Sequence, residues 1–183
     1  LKKVCLVGHS MGAAIALNAS LSRHWRICSV VAIGGASKMN VNHAILQGLQ
    51  NTFEATVNSI VKYSWHKKTG AVADSEQMAA YFREKAKQRM LDAGSKTVHG
   101  DFLACSNFDL SARLEEIAVP VLVIASDCDR MVPLKVSREM AEKLPNSEFV
   151  SLENCGHFQH IEQTSRVATE LSNFLGSVGR GAD

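Results

Sequence analysis

The chain has 183 residues, a formal net charge of +2, 46% hydrophobic residues and 21% charged residues. That length suits one medium domain, or a small domain carrying an insert, with enough apolar content for a core. No basic run exceeds a pair such as Lys67-Lys68, and no apolar stretch approaches the roughly 18 residues of a membrane span, which argues against nucleic acid as the main partner and against a transmembrane helix.

The first element is a short apolar strand, Lys3-Val4-Cys5-Leu6-Val7. Gly8-His9-Ser10-Met11-Gly12 follows, and then an Ala- and Leu-rich helix over residues 13–21. Residues 28–33 read as a buried strand closed by Gly34-Gly35. Strand, helix and strand within about thirty residues form the unit of a parallel α/β sheet. From residue 37 to 107 there is neither proline nor a clear strand. Amphipathic helices fit residues 42–50, 53–66, 74–93 and 97–104, with Asp74-Ser75-Glu76 as a start and Gly94 as a stop. Charges over 83–89 fit a solvated helix face. Sheet pattern returns at Val119-Pro120-Val121-Leu122-Val123-Ile124-Ala125. A helix over 133–144, a strand over 148–152 and an amphipathic helix over 161–175 follow. Ile161, Val167, Leu171, Phe174 and Leu175 form the apolar side of that last helix, and residues 176–183 read as a loose tail.

The cysteines are Cys5, Cys28, Cys105, Cys128 and Cys155, an odd number without a Cys-x-x-Cys pair. They read as reduced, mostly buried thiols of a cytoplasmic protein. Cys128 and Cys155 lie near candidate catalytic residues, but their spacing is too open for a zinc site.

Gly8-His9-Ser10-Met11-Gly12 fits Gly-x-Ser-x-Gly, and its setting between strand and helix makes it a nucleophile elbow. Its glycines allow a strained turn that presents Ser10 without a Cβ clash. The helix N-terminus beneath Ser10, beginning with the Met11 N–H, suits a developing oxyanion. A serine needs a base, and the base needs an orienting acid. Ser126-Asp127-Cys128-Asp129 supplies the acid beyond a parallel strand, with Asp129 preferred and Asp127 the alternative. Gly156-His157 supplies the base after the last strand, and His160 is the nearby competitor, expected to point away on a helix starting near Phe158. His9 is expected to pack or hydrogen-bond beside the site. His9, Met131 and Phe158 are the candidate substrate contacts. His24, His43, His66 and His99 have no partner pattern. Nothing in this chemistry calls for a metal or cofactor.

The three segments together resemble the α/β-hydrolase superfamily. Gly-His-Ser-Met-Gly resembles its elbow, residues 119–133 its acid strand and loop, and Asn154-Cys155-Gly156-His157 its histidine loop, with Glu162 matching the acidic residue that often follows. The resemblance implies an α/β-hydrolase core over residues 1–36 and 109–183, with a helical lid inserted over 37–108. Ser126 departs from the family's usual glycine. The resemblance also implies four strands before the elbow and a second oxyanion N–H from one of their loops. Neither is found in these residues, so the start of the chain reads as that of a fragment or a split fold. The expected activity is hydrolysis of a small ester or related carbonyl compound through Ser10, His157 and Asp129. A carbon–carbon bond hydrolase and a non-catalytic binding module or inactive fragment are the alternatives. Met39, Phe53, Trp65, Met78, Phe82 and Phe102 are expected to line a pocket under the lid.

Overall fold

A computed structural model describes residues 2–66 and 76–180. The expected helix start at Asp74 and the Lys67-Lys68 pair lie outside those residues. Among the described residues, four strands, β1 (Val4–His9), β2 (Ile27–Ile33), β3 (Val121–Ser126) and β4 (Ser147–Leu152), lie in chain order and are parallel throughout. β-branched residues dominate β2 and β3, the two central strands, and suit their near-complete burial.

Alternation along these strands divides the core. Val30, Ala32, Val121 and Val123 pack with α1 (Met11–Ser20) and α5 (Leu134–Lys143). Val31, Ile33, Leu122 and Ile124 pack with Val167 and Phe174 of α7 (Thr164–Arg180). Successive side chains of a strand point to opposite faces, so one run of sequence supplies both layers.

Between β2 and β3 the described residues include the α-helices α2 (His43–Asn51), α3 (Phe53–Ser64) and α4 (Glu76–Asn107). The Asn42 side chain accepts the Ala44 N–H at 2.9 Å and caps α2. Gly94, the expected stop, has φ 79° and ψ 159°, and the helix resumes after it, so α4 is broken rather than ended there. Leu49, Val57, Ile60 and Val98 form a separate core for these helices. A Lys38–Asp109 bridge, with an ion pair of 2.8 Å, joins the two ends of the segment.

The C-terminal region departs from expectation. A short helix α6 (Gln159–Glu162) ends at Gln163, whose φ of −133° breaks the run before α7. α7 then continues to Arg180, where a loose tail was expected from residue 176. Leu175 is 41% exposed, and Val178 takes its expected place against the core.

Candidate active site

Ser10, Asp129 and His157 follow β1, β3 and β4, so all three stand beyond the carboxyl ends of parallel strands, where α/β sheets collect their chemistry. Ser10 adopts φ 53° and ψ −116° between β1 and α1. A non-glycine residue held there stores about 1–3 kcal/mol of strain. The turn is pinned by Ser10 N–H donating to the Ile33 carbonyl at 2.9 Å and by the Ser10 carbonyl accepting from Ala13 N–H at 2.9 Å. A Cβ on Gly8 would run into the Gly12 carbonyl, whereas a Cβ on Gly12 would meet nothing within 4 Å. The expectation of clash relief therefore holds for Gly8 and fails for Gly12. Met11 opens α1, so its N–H has no preceding turn to receive it.

Asp129 and His157 form a buried pair, with His157 Nδ1 2.7 Å from Asp129 Oδ2. A carboxylate accepts, so Nδ1 carries the proton and Nε2 is left as an acceptor. Asp129 Oδ1 takes the N–H groups of Met131 and Val132, each at 2.8 Å. Asp127 is exposed and accepts the Cys155 N–H at 3.4 Å instead, with no bond to His157. The His157 backbone N–H donates to the Ser64 carbonyl at 2.7 Å, which ties the histidine loop to the end of α3. The fully buried Glu162 accepts N–H groups from His66 at 3.0 Å, Gly156 at 3.1 Å and Phe158 at 3.2 Å.

His9 Nε2 lies 2.7 Å from the His157 carbonyl and donates to it. Burial, followed by the nearby His157 and His160 rings, pushes His9 down to about 3. His160, on α6, makes no hydrogen bond to Asp129 and packs against His9. Its ring centroid is 4.6 Å from that of His9, and burial lowers it as well.

One cavity of about 480 Å³ is lined by Ser10, His157, Met11 and all three candidate contacts, His9, Met131 and Phe158. No hydrogen bond joins Ser10 Oγ to His157 in this structure; the two share the cavity wall. Of the six expected lining residues, Met39 and Phe102 are there. Phe53 packs in the helical core instead, and Trp65 stacks on Phe158 at 4.8 Å, facing a smaller cavity behind Asp129. Met78 is 48% exposed, and Phe82 meets Tyr81 edge-on. Arg89, Asp101 and Arg130, which periodicity did not mark, line the cavity. The cysteines are less buried than expected: only Cys155 is buried, and all five are free thiols.

Sequence reasoning also missed Gln159. It is fully buried, and its Nε2 donates to Asp129 Oδ2 at 3.1 Å and to Ser126 Oγ at 3.0 Å. The only signal was Ser126 itself, a hydroxyl where the resemblance leads one to expect glycine.

No described helix is long and apolar enough to cross a membrane. The family model of the alpha/beta hydrolase fold matches residues 1–164. A protein of Agrobacterium fabrum named as a carbamate hydrolase is 30% identical over 177 residues, covering 96% of this chain and 68% of its own length. A 2-hydroxy-6-oxononadienedioate/2-hydroxy-6-oxononatrienedioate hydrolase of Paraburkholderia phymatum is also 30% identical, covering 96% of this chain and 63% of its own. The solved structure of a thermophilic esterase superposes with a TM-score of 0.82 at 28% identity, covering 97% of this chain and 67% of the other. The chain thus spans about two thirds of the length of these relatives. A parallel sheet with Ser10, Asp129 and His157 at its strand ends, and a family match over most of the chain, make this chain a member of the α/β-hydrolase fold family.

Proposed function

We propose that the chain is a serine hydrolase that cleaves a small carboxylic ester or related carbonyl substrate. The observation that carries this reading is the buried 2.7 Å Asp129–His157 pair, whose histidine lines the same cavity as the strained Ser10. Ser10 Oγ attacks the carbonyl, and His157 Nε2 takes its proton. The Ser10–His157 hydrogen bond forms as substrate fills the cavity, since such bonds are commonly loose in the free enzyme. Asp129 holds His157 in the tautomer that leaves Nε2 free and stabilises the imidazolium. The Met11 N–H, at the positive end of α1, receives the oxyanion. His157 returns the proton to the leaving alcohol, and water releases the acid from Ser10 by the reverse route. The helices over 37–108 act as the lid. Met39, Val41, Ile45, Ile60 and Phe102 give the cavity an apolar wall suited to an acyl chain.

Ser10→Ala should lower turnover of p-nitrophenyl butyrate by roughly ten-thousand-fold or more, with the circular dichroism spectrum unchanged. Retained esterase activity in that variant would sink the assignment.

The likeness to the Paraburkholderia hydrolase supports a second reading, carbon–carbon bond hydrolysis by the same three residues. Turnover of a vinylogous diketone with no action on the aryl ester would favour it.

A further inference from the structure

Asp129 presents four acceptor sites to a buried environment. Backbone N–H groups occupy both sites of Oδ1, and His157 Nδ1 occupies one of Oδ2. The fourth is filled by Gln159 Nε2 at 3.1 Å. The same nitrogen donates to Ser126 Oγ at 3.0 Å, and Ser126 Oγ donates onward to the Gly156 carbonyl at 2.6 Å. The chain of bonds therefore runs from the acid loop, through Gln159 and the end of β3, to the residue before His157. Gln159 and Ser126 are both fully buried.

The arrangement is built at some expense. Gln159 Oε1 is buried without a partner, and a buried acceptor left unmade carries its full desolvation penalty. Gly34, at φ 55°, makes the room: a Cβ there would stand 2.9 Å from Oε1 and 3.3 Å from His157 Nδ1. An apolar side chain at 159 would leave no orphan acceptor, so simple packing does not account for an amide here. A donor aimed at the oxygen that holds His157 does.

We propose that Gln159 is a positioning residue for the Asp129–His157 pair. Its N–H groups fix the plane of the Asp129 carboxylate so that Oδ2 faces Nδ1, and Ser126 anchors the amide from the other side. Without this donor, Oδ2 keeps one empty acceptor site, and His157 itself is then the one group that holds that oxygen. The His157 ring then loses its fixed aim at Ser10. A hydrogen bond to a charged group is about twice as strong as a neutral one, enough to decide the orientation of one side chain. The inference rests on the hydrolase reading for its consequence in turnover, while the geometry it invokes exists without substrate.

Gln159→Met keeps the length of the side chain and removes the donors. The expected result is a roughly tenfold fall in kcat for p-nitrophenyl butyrate, with KM changed less than twofold. The low-field proton resonance of the His157 Nδ1–Asp129 hydrogen bond should move and exchange faster. Ser126→Ala takes away the anchor while leaving Gln159 in place, and should move the same resonance with a smaller fall in kcat. It serves if the methionine variant does not fold. An unchanged resonance, or kcat within twofold of wild type, in a folded Gln159→Met chain would overturn the proposal. The resonance needs no turnover. A wild-type chain without esterase activity would therefore count against the hydrolase reading, and the resonance would still decide the role of Gln159.

Discussion

His9 is packed against the rings of His157, Phe158 and His160, at centroid distances between 4.6 and 5.3 Å. Burial and these neighbours push it from 6.5 down to about 3, and His160 is lowered for the same reasons. The sign follows directly. Below the unfolded value of 6.5 the unfolded chain takes up a proton that folded His9 refuses. Folded stability is therefore complete above that pH and falls as pH drops towards 3, by about 1 kcal/mol per pH unit for this group. Thermal unfolding of wild type and His9→Gln at pH 7 and pH 4.5 checks it. The wild type should lose more stability between the two, and parallel losses would contradict the account. Glu162 makes a second prediction. Glu162→Ala would leave the N–H groups of His66, Gly156 and Phe158 without their carboxylate, costing about 3 kcal/mol or more. A denaturant midpoint unchanged from wild type would show that water replaces it at no cost. The resemblance marked Glu162, but no pattern in the chain tells which three N–H groups it serves.

The turn at Ser10 has little geometric slack. Gly8→Ala drives a Cβ into the Gly12 carbonyl, backbone against backbone, and should destabilise the chain by several kcal/mol and abolish turnover. Gly100→Ala is the control: it lies in α4 with nothing within 4 Å of the added Cβ, and should stabilise by about 0.5–1 kcal/mol. Equal effects at both positions, measured by chemical denaturation, would refute the reading of the elbow. Elements of this kind were legible because their signals are local. Apolar runs closed or led by glycine or proline marked β1, β2 and β3 to within a few residues, and the helix expected over 42–50 lies close to α2. The C-terminal helices were less legible. Gln163 has no breaker chemistry, yet its non-helical backbone ends α6, and within α7 the inward face runs through Val167, Leu171, Phe174 and Val178, leaving Leu175 exposed. That break answers to Glu162 being held beneath the histidine loop, a tertiary demand that propensity does not record.

At the scale of the molecule, the four-stranded sheet sets three loops side by side, and the helices over 37–108 form a core of their own beside it. The order of Ser10, Asp129 and His157 along the chain, each after a strand, corresponds to their places beyond the carboxyl ends of β1, β3 and β4. The cavity wall was not legible in this way. Phe53, Phe82 and Met78 have the same hydrophobicity as Met39 and Phe102, and only the packing of α2, α3 and α4 decides which face the cavity. Gln159 escaped notice because a buried glutamine at the start of a short helix reads as a surface residue until its partners are known. The central claim is that these parts form an activated serine. It is tested most directly by mass spectrometry with peptide mapping of the folded chain after a fluorophosphonate probe, with Ser10→Ala alongside. The account predicts one adduct, on Ser10, absent from the variant. A folded chain that takes no adduct, or takes it elsewhere, would contradict it.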